Sequence, residues 1–443
     1  MGTPTSKVSR KKISRSNLAR EPGLFDSAVD GNPSATYAYD ERAEAVERSV
    51  RRRDGSLVRS TVSAPVGSDR MEPHARFDLG WLRCPNAPAA VEAHGCIRMV
   101  DLFCGAGGFG VGMDEAGRAL GMRVEHVLAA DIEKSALDTF CANFNPKKVI
   151  SAPIETVVDG AIGAKLTSAE RALRRVVGSV HITTGGPPCQ GHSDLNNYTR
   201  RQDPKNALYA RMARVAEVIE PETVVIENVP GVRRDRSGIF STTVEALQSL
   251  GYSVADALIE MEFLGVPQRR HRVIVVATKR SIGAAAVLED IQTAQAVTPR
   301  TVGWAISDLQ RIGRGNPLDA ITVLSAESMR RVDWLFDNGE YDLPNRLRPA
   351  CHRDKQHSYN AVYGRLYWDQ PAWTITTGFQ VMGQGRFLHP KQRRVITSHE
   401  AARLQFFPDH FRFVAENRKW YAKMIGNAVP PKLSFALGIA LFR

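Results

Sequence analysis

The chain has 443 residues, a formal net charge of +12 and a pI near 9.5. This length fits a large core with a smaller second unit, and the positive charge favours polyanionic partners without proving nucleic acid. The six cysteines lack the close pairing of a disulfide framework or zinc site, and no apolar run reaches the ~18 residues of a membrane span. Secretion, membrane spanning and metal binding are therefore not expected.

Residues 1–95 are expected to form a basic, largely disordered N-terminal extension. The segment is rich in Ser, Arg, Gly and Pro and carries basic clusters around Lys11 and at residues 51–53. Such a composition buries too little apolar surface to offset the entropy lost on ordering. The extension is interpreted either as a tail that grips DNA or as a solvated segment, with Met71 as an alternative start of the protein.

From Cys96 onward, short apolar runs alternate with segments of helical periodicity, as in βαβ units. The predicted strands are Ile97 to Leu102, His126 to Ala129, Val180 to Ile182, Thr223 to Ile226, Val254 to Ile259 and Val273 to Ala277. Between them, Leu208, Met212, Val215 and Ile219 recur at helical spacing, and Thr242 with Glu245 predicts a capping box. This pattern indicates an α/β fold with a doubly wound, Rossmann-like parallel sheet.

The regular pattern fades after Arg280, which predicts a second, smaller and irregular domain over residues 280–417. Near its end, Thr397 and Glu400 form a second predicted capping box, which opens a short helix stopped by Pro408. The apolar segment that follows is expected to return to the first core. The α/β domain is thus assigned residues 96–279 plus 418–443.

A glycine-rich loop follows the first predicted strand, with the pattern Gly105-x-Gly107-x-x-Gly110. Glycines permit a sharp turn and a close approach of the backbone to a ligand. Asp131 ends the next strand, where a carboxylate can accept hydrogen bonds from ribose hydroxyls. These features indicate an adenosine-type cofactor without separating NAD from S-adenosylmethionine, and a tight turn without a ligand is the alternative.

Three further segments carry residue types that chemistry uses. Cys189 lies in Gly-Gly-Pro-Pro-Cys-Gln-Gly, a stiff loop after a strand, where local positive charge is needed to ionise a thiol. Glu227 and Asn228 end the strand through Ile226, and Arg270 and Arg272 alternate just before the last strand. The alternatives are a buried packing cysteine, a capping glutamate and a solvated basic edge.

Four of these positions fall at the carboxyl ends of predicted parallel strands: Gly105, Asp131, Cys189 and Glu227. In an open α/β sheet, ligands bind in the crevice beyond those ends. The four positions are therefore predicted to converge on one site, although more than a hundred residues separate the first from the last.

Taken in order, these segments resemble the DNA (cytosine-5)-methyltransferase family. The residues that carry the resemblance are Pro-Pro-Cys189-Gln, Glu227-Asn-Val, Gln268-x-Arg-x-Arg272, Thr397 to Pro408 with Glu400, Arg403 and Gln405, and Gly426-Asn427-Ala-Val-Pro-Pro. The similarity spans roughly residues 97–278 and 363–436, in the linear order of the family. It implies that residues 280–417 form the target-recognition domain.

The resemblance implies a role for each matched position. Cys189 is the implied nucleophile, Glu227 the implied partner of the cytosine N3 edge, and Arg270 and Arg272 are implied to organise the catalytic site. The implied pocket for S-adenosylmethionine is formed by Phe103, Gly105, Gly107, Asp131, Ile132, Pro187, Leu208 and Asn427. Two departures from the family pattern are His192, where Phe is usual, and Ala152-Pro153, where an acidic residue often meets the adenine.

The implied reaction is transfer of a methyl group from S-adenosylmethionine to C5 of cytosine in double-stranded DNA, with base flipping and a covalent bond from Cys189 to C6. The expected enzyme is a cytoplasmic, nucleoid-associated monomer without metal, and a cognate restriction endonuclease is a candidate partner. The alternatives are a transfer RNA cytosine-5 methyltransferase, a non-catalytic DNA-binding paralogue and a NAD-dependent dehydrogenase.

Overall fold

The protein is described from a computed structural model, which covers residues 35–65, 67, 71–89, 92–188, 207–235, 238–295, 297–310, 315–350, 352–353 and 362–443.

The first described residues form a small antiparallel sheet followed by a helix. The strands are β1 (Ala35–Asp40), β2 (Ala45–Arg51) and β3 (Leu57–Ser63), in the order β1-β2-β3, and the helix is α1 (Pro73–Leu82). Val46, Val50 and Val62 are buried in the main hydrophobic core. The expectation of a largely disordered segment over residues 1–95 is therefore wrong for this part. The composition of the segment hides the period-two burial of β2, in which Val46, Arg48 and Val50 are buried and the residues between them are not.

A mixed seven-stranded sheet forms the centre of the described structure. Its strands are β4 (Cys96–Leu102), β5 (Arg123–Ala130), β6 (Lys148–Ile150), β7 (Ile182–Gly185), β8 (Thr223–Asn228), β9 (Ser253–Glu260) and β11 (His271–Thr278), and a short β10 (Gln268–Arg269) precedes β11. The order across the sheet is β6-β5-β4-β7-β8-β11-β9. All six predicted strands are confirmed within a few residues. The sheet is not wholly parallel, however, because β11 runs antiparallel to both of its neighbours.

Helices cover both faces of this sheet, as a doubly wound fold requires. They are α2 (Gly108–Leu120), α3 (Lys134–Phe144), α4 (Ser168–Val177), α5 (Ala207–Ile219), α6 (Ile239–Ser249) and α7 (Ala284–Thr293). One large apolar cluster joins α2 and α7 to one face of the sheet, and a second joins α4, α5 and α6 to the other. The predicted Rossmann-like α/β fold is therefore confirmed.

The start of α6 differs from the prediction. The helix begins at Ile239, three residues before the expected cap at Thr242. The backbone N–H of Ile239 donates to the Asp235 carboxylate, and Thr242 lies inside the first turn with its N–H bonded to the Gly238 carbonyl. An acidic side chain outside the predicted pattern thus satisfies the first amide of the helix.

The second unit is irregular, as predicted. Its elements are α8 (Val302–Ile306), α9 (Ala326–Asp337), β12 (Ala372–Trp373) and α10 (Ser398–Leu404), and the chain ends with α11 (Arg418–Asn427) and α12 (Pro431–Phe442). A small cluster around Val332, Leu335 and Leu388 gives this unit its own core. Helices α7, α8 and α10 pack instead into the large cluster of the sheet domain. The two units therefore interdigitate more than a boundary at residue 280 implies.

The predicted capping box at the start of α10 is confirmed. Thr397 accepts a hydrogen bond from the backbone N–H of Glu400, and the Glu400 carboxylate accepts one from the N–H of Thr397. Among the described residues, one helical stretch, Arg418–Phe442, is long and apolar enough to cross a membrane, but 89% of its most apolar window is buried inside the protein. The stretch therefore has the burial expected of core helices.

Buried ion pairs attach the N-terminal unit to the sheet domain. Arg48 of β2 pairs with Glu115 of α2 at 2.7 Å, and Lys432 of α12 pairs with Asp78 of α1 at 2.5 Å. Trp81 also donates a hydrogen bond to Glu115 at 3.0 Å. Removing one partner of a buried pair typically costs about 3–5 kcal/mol, because the other charge is left buried without a counter-charge, so a single substitution in either pair should destabilise the docked arrangement.

Candidate active site

The strand register brings the ends of four strands to one edge of the sheet. Leu102 of β4 pairs with Ala130 of β5 on one side and with Gly185 of β7 on the other. Gly185 in turn pairs with Ile226 of β8, one residue before Glu227. Because β11 is antiparallel, it begins at this same edge, and Val273 pairs with Asn228. The edge predicted from the sequence is therefore present in the described residues.

The glycine loop leaves β4 through two residues in the left-handed region of backbone space. Phe103 has φ +51° and Gly105 has φ +53°. A side chain such as that of Phe103 rarely adopts this conformation, which costs about 1–3 kcal/mol and is concentrated at functional sites. Around the position of a Cβ on Gly105 there is open space, with no atom within 4 Å. The backbone at Gly105 is therefore open on the side where a side chain would stand.

The next two glycines are needed for packing within the protein. A Cβ on Gly107 would lie 2.4 Å from the Phe144 ring, and one on Gly108 would lie 2.0 Å from the Val429 carbonyl oxygen. Since Val429 follows Asn427 by two residues, the Gly426-Asn427 block lies directly against the glycine loop. The contact with Phe144 alone requires a glycine at position 107, and the cofactor contact of Gly107 stays a prediction.

Asp131 stands at the end of β5, where it was predicted to bind a ribose. Its carboxylate accepts hydrogen bonds from the N–H of Gly105 at 2.8 Å and of Glu133 at 2.9 Å. Burial raises the pKa of Asp131, although these two bonds act in the opposite direction. Each oxygen accepts one bond from the chain and has further acceptor capacity. The adjacent Ile132 side chain is 64% exposed, an unusual placement for a large apolar residue next to a site.

The other residues predicted to hold the cofactor differ in their burial. Phe103 and Leu208 border the same apolar cluster, together with Ala152 from the segment after β6, and Pro187 is buried in the loop after β7. Asn427 is exposed at the end of α11. Lys423 of the same helix pairs with Glu133 at 2.5 Å, which ties α11 to the turn that carries Asp131.

Beneath the loop, Asp101 is a buried carboxyl group. Thr184 of β7 donates a hydrogen bond to its Oδ1 at 2.8 Å, while Oδ2 has no hydrogen-bond partner among the described residues. Burial raises the pKa of Asp101 to about 7, despite the opposing effect of the Thr184 bond. These groups fit a nucleoside cofactor with a charged amino acid end. Ile132 offers exposed apolar surface, the two Asp131 oxygens can accept hydrogen bonds, and the turn at Gly105 is open above the buried Asp101.

Glu227 and Arg272 form the ion pair of the site. Arg272 Nε lies 2.6 Å from Glu227 Oε1, and the two side chains are 13% and 11% exposed. The other oxygen, Oε2, faces the loop after β7, since a Cβ on Gly186 would lie 3.3 Å from it. Glu227 thus directs one oxygen toward Arg272 and the other toward the loop that leads to Cys189.

Arg270 supports the site from behind and does not pair with Glu227. The side chain is buried and donates to the backbone carbonyls of Ile375, Gly426 and Ala428, at 3.0 to 3.4 Å. Burial lowers the pKa of its guanidinium. Of the two predicted arginines, only Arg272 lies on the carboxylate, and Arg270 anchors the Gly426-Asn427 block.

Two glutamines were absent from the predicted set of site residues. Gln268 donates to the Leu404 carbonyl and to Gln405 Oε1, and it accepts the N–H of Ile375. Gln405 donates to the Ile425 carbonyl at 2.6 Å. Both residues stand in the matched motifs, so their presence there was the available signal. Their partners lie far away in sequence, and only the fold shows that they join three segments around Arg270.

Cys189 and His192 lie outside the described residues, as does Cys351. In the part of the chain that the structure covers, no group of three or more His, Cys, Asp or Glu side chains is arranged to hold a metal ion.

Comparison with known proteins identifies the family. The model of the C-5 cytosine-specific DNA methylase family matches residues 97–443. The chain belongs to this family. It is a DNA (cytosine-5)-methyltransferase, and S-adenosylmethionine is its cofactor.

Two relatives support this assignment. The chain is 42% identical to the type II methyltransferase M1.BsuMI of Bacillus subtilis (strain 168), over 89% of this chain and 92% of the relative. It is 31% identical to the type II methylase M.HgiDII of Herpetosiphon aurantiacus, over 78% of this chain and 95% of that protein. The first match covers more of the methyltransferase than residues 97–443 contain, so it extends into the segment before Ile97.

Solved structures show the same fold at low identity. An Escherichia coli prophage protein described as a putative DNA modification methyltransferase matches with a TM-score of 0.54 and 23% identity, over 78% of this chain and 98% of its own. Dnmt2 methyltransferase of S. pombe matches with a TM-score of 0.53 and 19% identity, with the same coverage of both chains. These similarities support the Rossmann-like fold of the methyltransferase.

Proposed function

We propose that the methyltransferase modifies cytosine in duplex DNA after flipping the base out of the helix, with Cys189 as the covalent nucleophile. The ion pair between Glu227 and Arg272 carries this proposal. An acidic side chain held at the sheet edge by one oxygen, with its second oxygen toward the Cys189 loop, suits the N3 edge of a flipped pyrimidine. Flipping is required because C5 and C6 are inaccessible inside the stacked duplex, and it costs a few kcal/mol.

The chemistry follows from the weak nucleophilicity of the cytosine ring. The Cys189 thiolate adds to C6 and forms a C–S bond, while Glu227 supports a proton at N3, so that electron density moves to C5. S-adenosylmethionine, when bound, supplies the methyl group that C5 accepts. Loss of the C5 proton to a base then restores the ring and breaks the bond to Cys189. Arg272 holds the Glu227 carboxylate in position throughout.

The residues that would hold the cofactor are those of the cleft beside this pair. Asp131 has acceptor capacity for the ribose hydroxyls, and the exposed Ile132 and half-buried Phe103 offer apolar surface to the adenine. Gly105 leaves room for the amino acid end, and Pro187, Leu208 and Asn427 complete the proposed pocket. The absence of an acidic residue at Ala152-Pro153 means that the adenine amino group needs another partner.

A trapping experiment tests the nucleophile. A duplex that contains 5-fluorocytosine cannot lose a proton from C5, so a covalent bond between enzyme and DNA should accumulate when S-adenosylmethionine is added. We expect this adduct with the native protein and its complete loss in Cys189→Ala, with duplex binding retained. Cys141→Ala, which removes an exposed cysteine of α3, is the control and should still form the adduct. An adduct that survives in Cys189→Ala would refute the assignment.

The remaining expectations belong to the same proposal. Since the two relatives are named type II enzymes, a cognate restriction endonuclease is the proposed partner, and the methyltransferase is proposed to act in the cytoplasm as a monomer. Parallel assays with duplex DNA and transfer RNA separate the proposed substrate from the RNA alternative. Methyl incorporation into transfer RNA alone would overturn the choice of duplex DNA.

A further inference from the structure

A row of arginine and aromatic side chains runs through the second unit and ends at β10, the short strand before β11. We call this row the arginine–aromatic stack; its members, in order, are Phe336, Arg365, Tyr341, Tyr367, Arg386, Trp373 and Arg269. Its two tyrosine rings are 4.5 Å apart and nearly parallel, and its guanidinium groups lie 3.9 to 6.0 Å from ring centres. Such contacts contribute about 0.5–1 kcal/mol at exposed sites and about 2 kcal/mol when desolvated.

Arg269 is the exposed end of this stack. Its neighbours Gln268 and Arg270 are buried, whereas Arg269 is exposed to solvent. Its backbone is held by the β10–β12 pairing with Trp373 and by Thr374, whose hydroxyl donates to the Arg269 carbonyl at 2.6 Å. The guanidinium lies 5.8 Å from the Trp373 ring and donates to Gln370 Oε1 at 3.1 Å. The side chain is therefore oriented before any ligand arrives.

The charge of Arg269 is not neutralised within the described residues. Its side-chain hydrogen bond there goes to a neutral amide, and no carboxylate lies within ion-pair distance. Arg386 behind it is paired with Asp342, while Arg365 donates to backbone carbonyls alone. A guanidinium has five N–H donors and binds phosphate through two of them, so Arg269 has donors free for an anion.

The position of Arg269 relates this cation to the target base. It precedes Arg272, the partner of Glu227, by three residues and belongs to the strand that joins both units. The segment after Trp373 packs on the Gly426 block, since a Cβ on Gly426 would lie 2.3 Å from the Thr377 backbone nitrogen. Since three residues span at most about 10 Å, the exposed Arg269 lies within that distance of Arg272 along the backbone.

We propose that Arg269 binds a backbone phosphate next to the flipped cytosine, and that Trp373 positions it for this contact. The inference rests on the proposed action on duplex DNA and assigns one phosphate contact within it. The occupant we assign is a phosphate of the target strand, because Arg269 is an exposed cation three residues from the arginine that pairs with Glu227 in an enzyme that acts on DNA. Preorganisation by the stack reduces the entropy lost when the contact forms.

The salt dependence of binding tests the contact directly. The probe is a duplex with one cytosine opposite an abasic site, which is extruded at low cost, and S-adenosylhomocysteine is present. For Arg269→Gln we expect the slope of log Kobs against log salt to fall in magnitude by about 0.9, with affinity reduced roughly tenfold at ~0.1 M salt. Arg269→Lys should keep the slope. Arg123→Gln, at the opposite edge of the sheet, is the matched control and should change neither.

Neutral phosphates locate the contact. Single methylphosphonates are placed one at a time in the DNA backbone beside the cytosine. At one of these positions the substitution should weaken binding of the native protein, and at the same position it should not affect binding of Arg269→Gln. Trp373→Leu should weaken binding in the native background but not in the Arg269→Gln background. An unchanged salt slope in Arg269→Gln, or equal losses in both proteins at every methylphosphonate, would overturn the proposal.

These binding measurements do not depend on the covalent step. Loss of the 5-fluorocytosine adduct in Arg269→Gln at saturating DNA would contradict the proposal, because a phosphate contact should affect binding and leave the chemistry of the bound complex intact. Failure of Cys189 to form the adduct in the native protein would reject the nucleophile and leave the Arg269 result unaffected.

Discussion

The two carboxylate oxygens of Glu227 face different neighbours. Oε1 is bonded to Arg272, and Oε2 faces Gly186 in the loop that leads to Cys189. This division leaves Oε2 available for the base while the ion pair prevents rotation of the side chain. We therefore expect Arg272 to act as a positioning residue and Glu227 to be the group that meets the cytosine.

Replacement of Glu227 by Gln tests that role. The amide keeps the shape of the side chain but cannot carry the charge that supports a proton at N3, so the rate of methyl transfer in a single turnover should fall by about 10²–10⁴-fold. Binding of S-adenosylhomocysteine, measured by calorimetry, should be unchanged. Glu220→Gln, which alters an exposed surface pair with Arg174, is the control. A native rate in Glu227→Gln would move the role to another residue.

For single residues, the sequence predicted where in the fold a residue lies better than which groups its side chain contacts. Asp131, Gly105 and Glu227 lie at strand ends as the pattern indicated, because the carboxyl ends of parallel strands meet at one edge. The role of Arg270 was not predictable from its motif. Its acceptors on Ile375 and Gly426 lie 105 and 156 positions away, and alternation along a strand does not show which of two arginines turns into the core.

Among the elements, α10 is anchored by an imidazole held between two carboxylates. His399 of α10 lies 2.8 Å from Asp319, in a short 3-10 turn of the second unit, and 3.0 Å from Asp409. Burial disfavours its charged form, but the hydrogen bonds and charges of Asp409 and Asp319 outweigh burial and the nearby Arg403, so that the pKa of His399 is raised. The protonated ring donates to both acids, and the neutral ring can donate to one.

The pH dependence of stability follows from that raised pKa. The charged ring stabilises the fold fully below the unfolded-state pKa of about 6.5, and this contribution is lost as pH rises through the higher folded-state value. The difference in unfolding free energy between the native protein and His399→Gln should be roughly 1 kcal/mol or more near pH 6 and smaller near pH 9, as measured by urea denaturation. A difference that grows with pH would contradict this assignment.

Element predictions were most accurate where burial was continuous. Strands β8 and β11 of the central sheet are buried along most of their length and were located from the sequence within a few residues. The N-terminal strands were missed because the buried face of β2 includes a charged residue, Arg48, within a basic, glycine- and proline-containing segment. The direction of β11 could not be predicted either, because an apolar run of this kind has the same sequence pattern in a parallel and in an antiparallel strand.

For the whole molecule, the N-terminal unit is part of the folded enzyme. The β1-β2-β3 sheet contributes buried valines to the main core and an arginine that pairs with α2. Fully burying one such apolar side chain contributes about 1.5–3 kcal/mol. A protein that began at Met71 would lack all three strands and leave the surface of α2 exposed.

Truncation distinguishes an integral unit from a dispensable one. We expect a variant that lacks residues 1–70 to unfold at a temperature lower by about 5 °C or more than the full chain, in thermal denaturation followed by circular dichroism. A variant that lacks only residues 1–34, and so keeps every described residue, is the control for loss of the chain before β1. Equal unfolding temperatures for the two truncated proteins would show that the sheet contributes no net stability.

The closure of the main core by α12 has a consequence for biosynthesis. Ser434 of α12 donates to the Gly108 carbonyl at 3.0 Å, across 326 positions of the chain, and Gly112 lies against the first turn of α12. The apolar side of α2 therefore leaves the ribosome long before the helix that covers it. We expect the nascent chain to need chaperone protection during that interval, and modification of DNA to begin only once translation has passed α12.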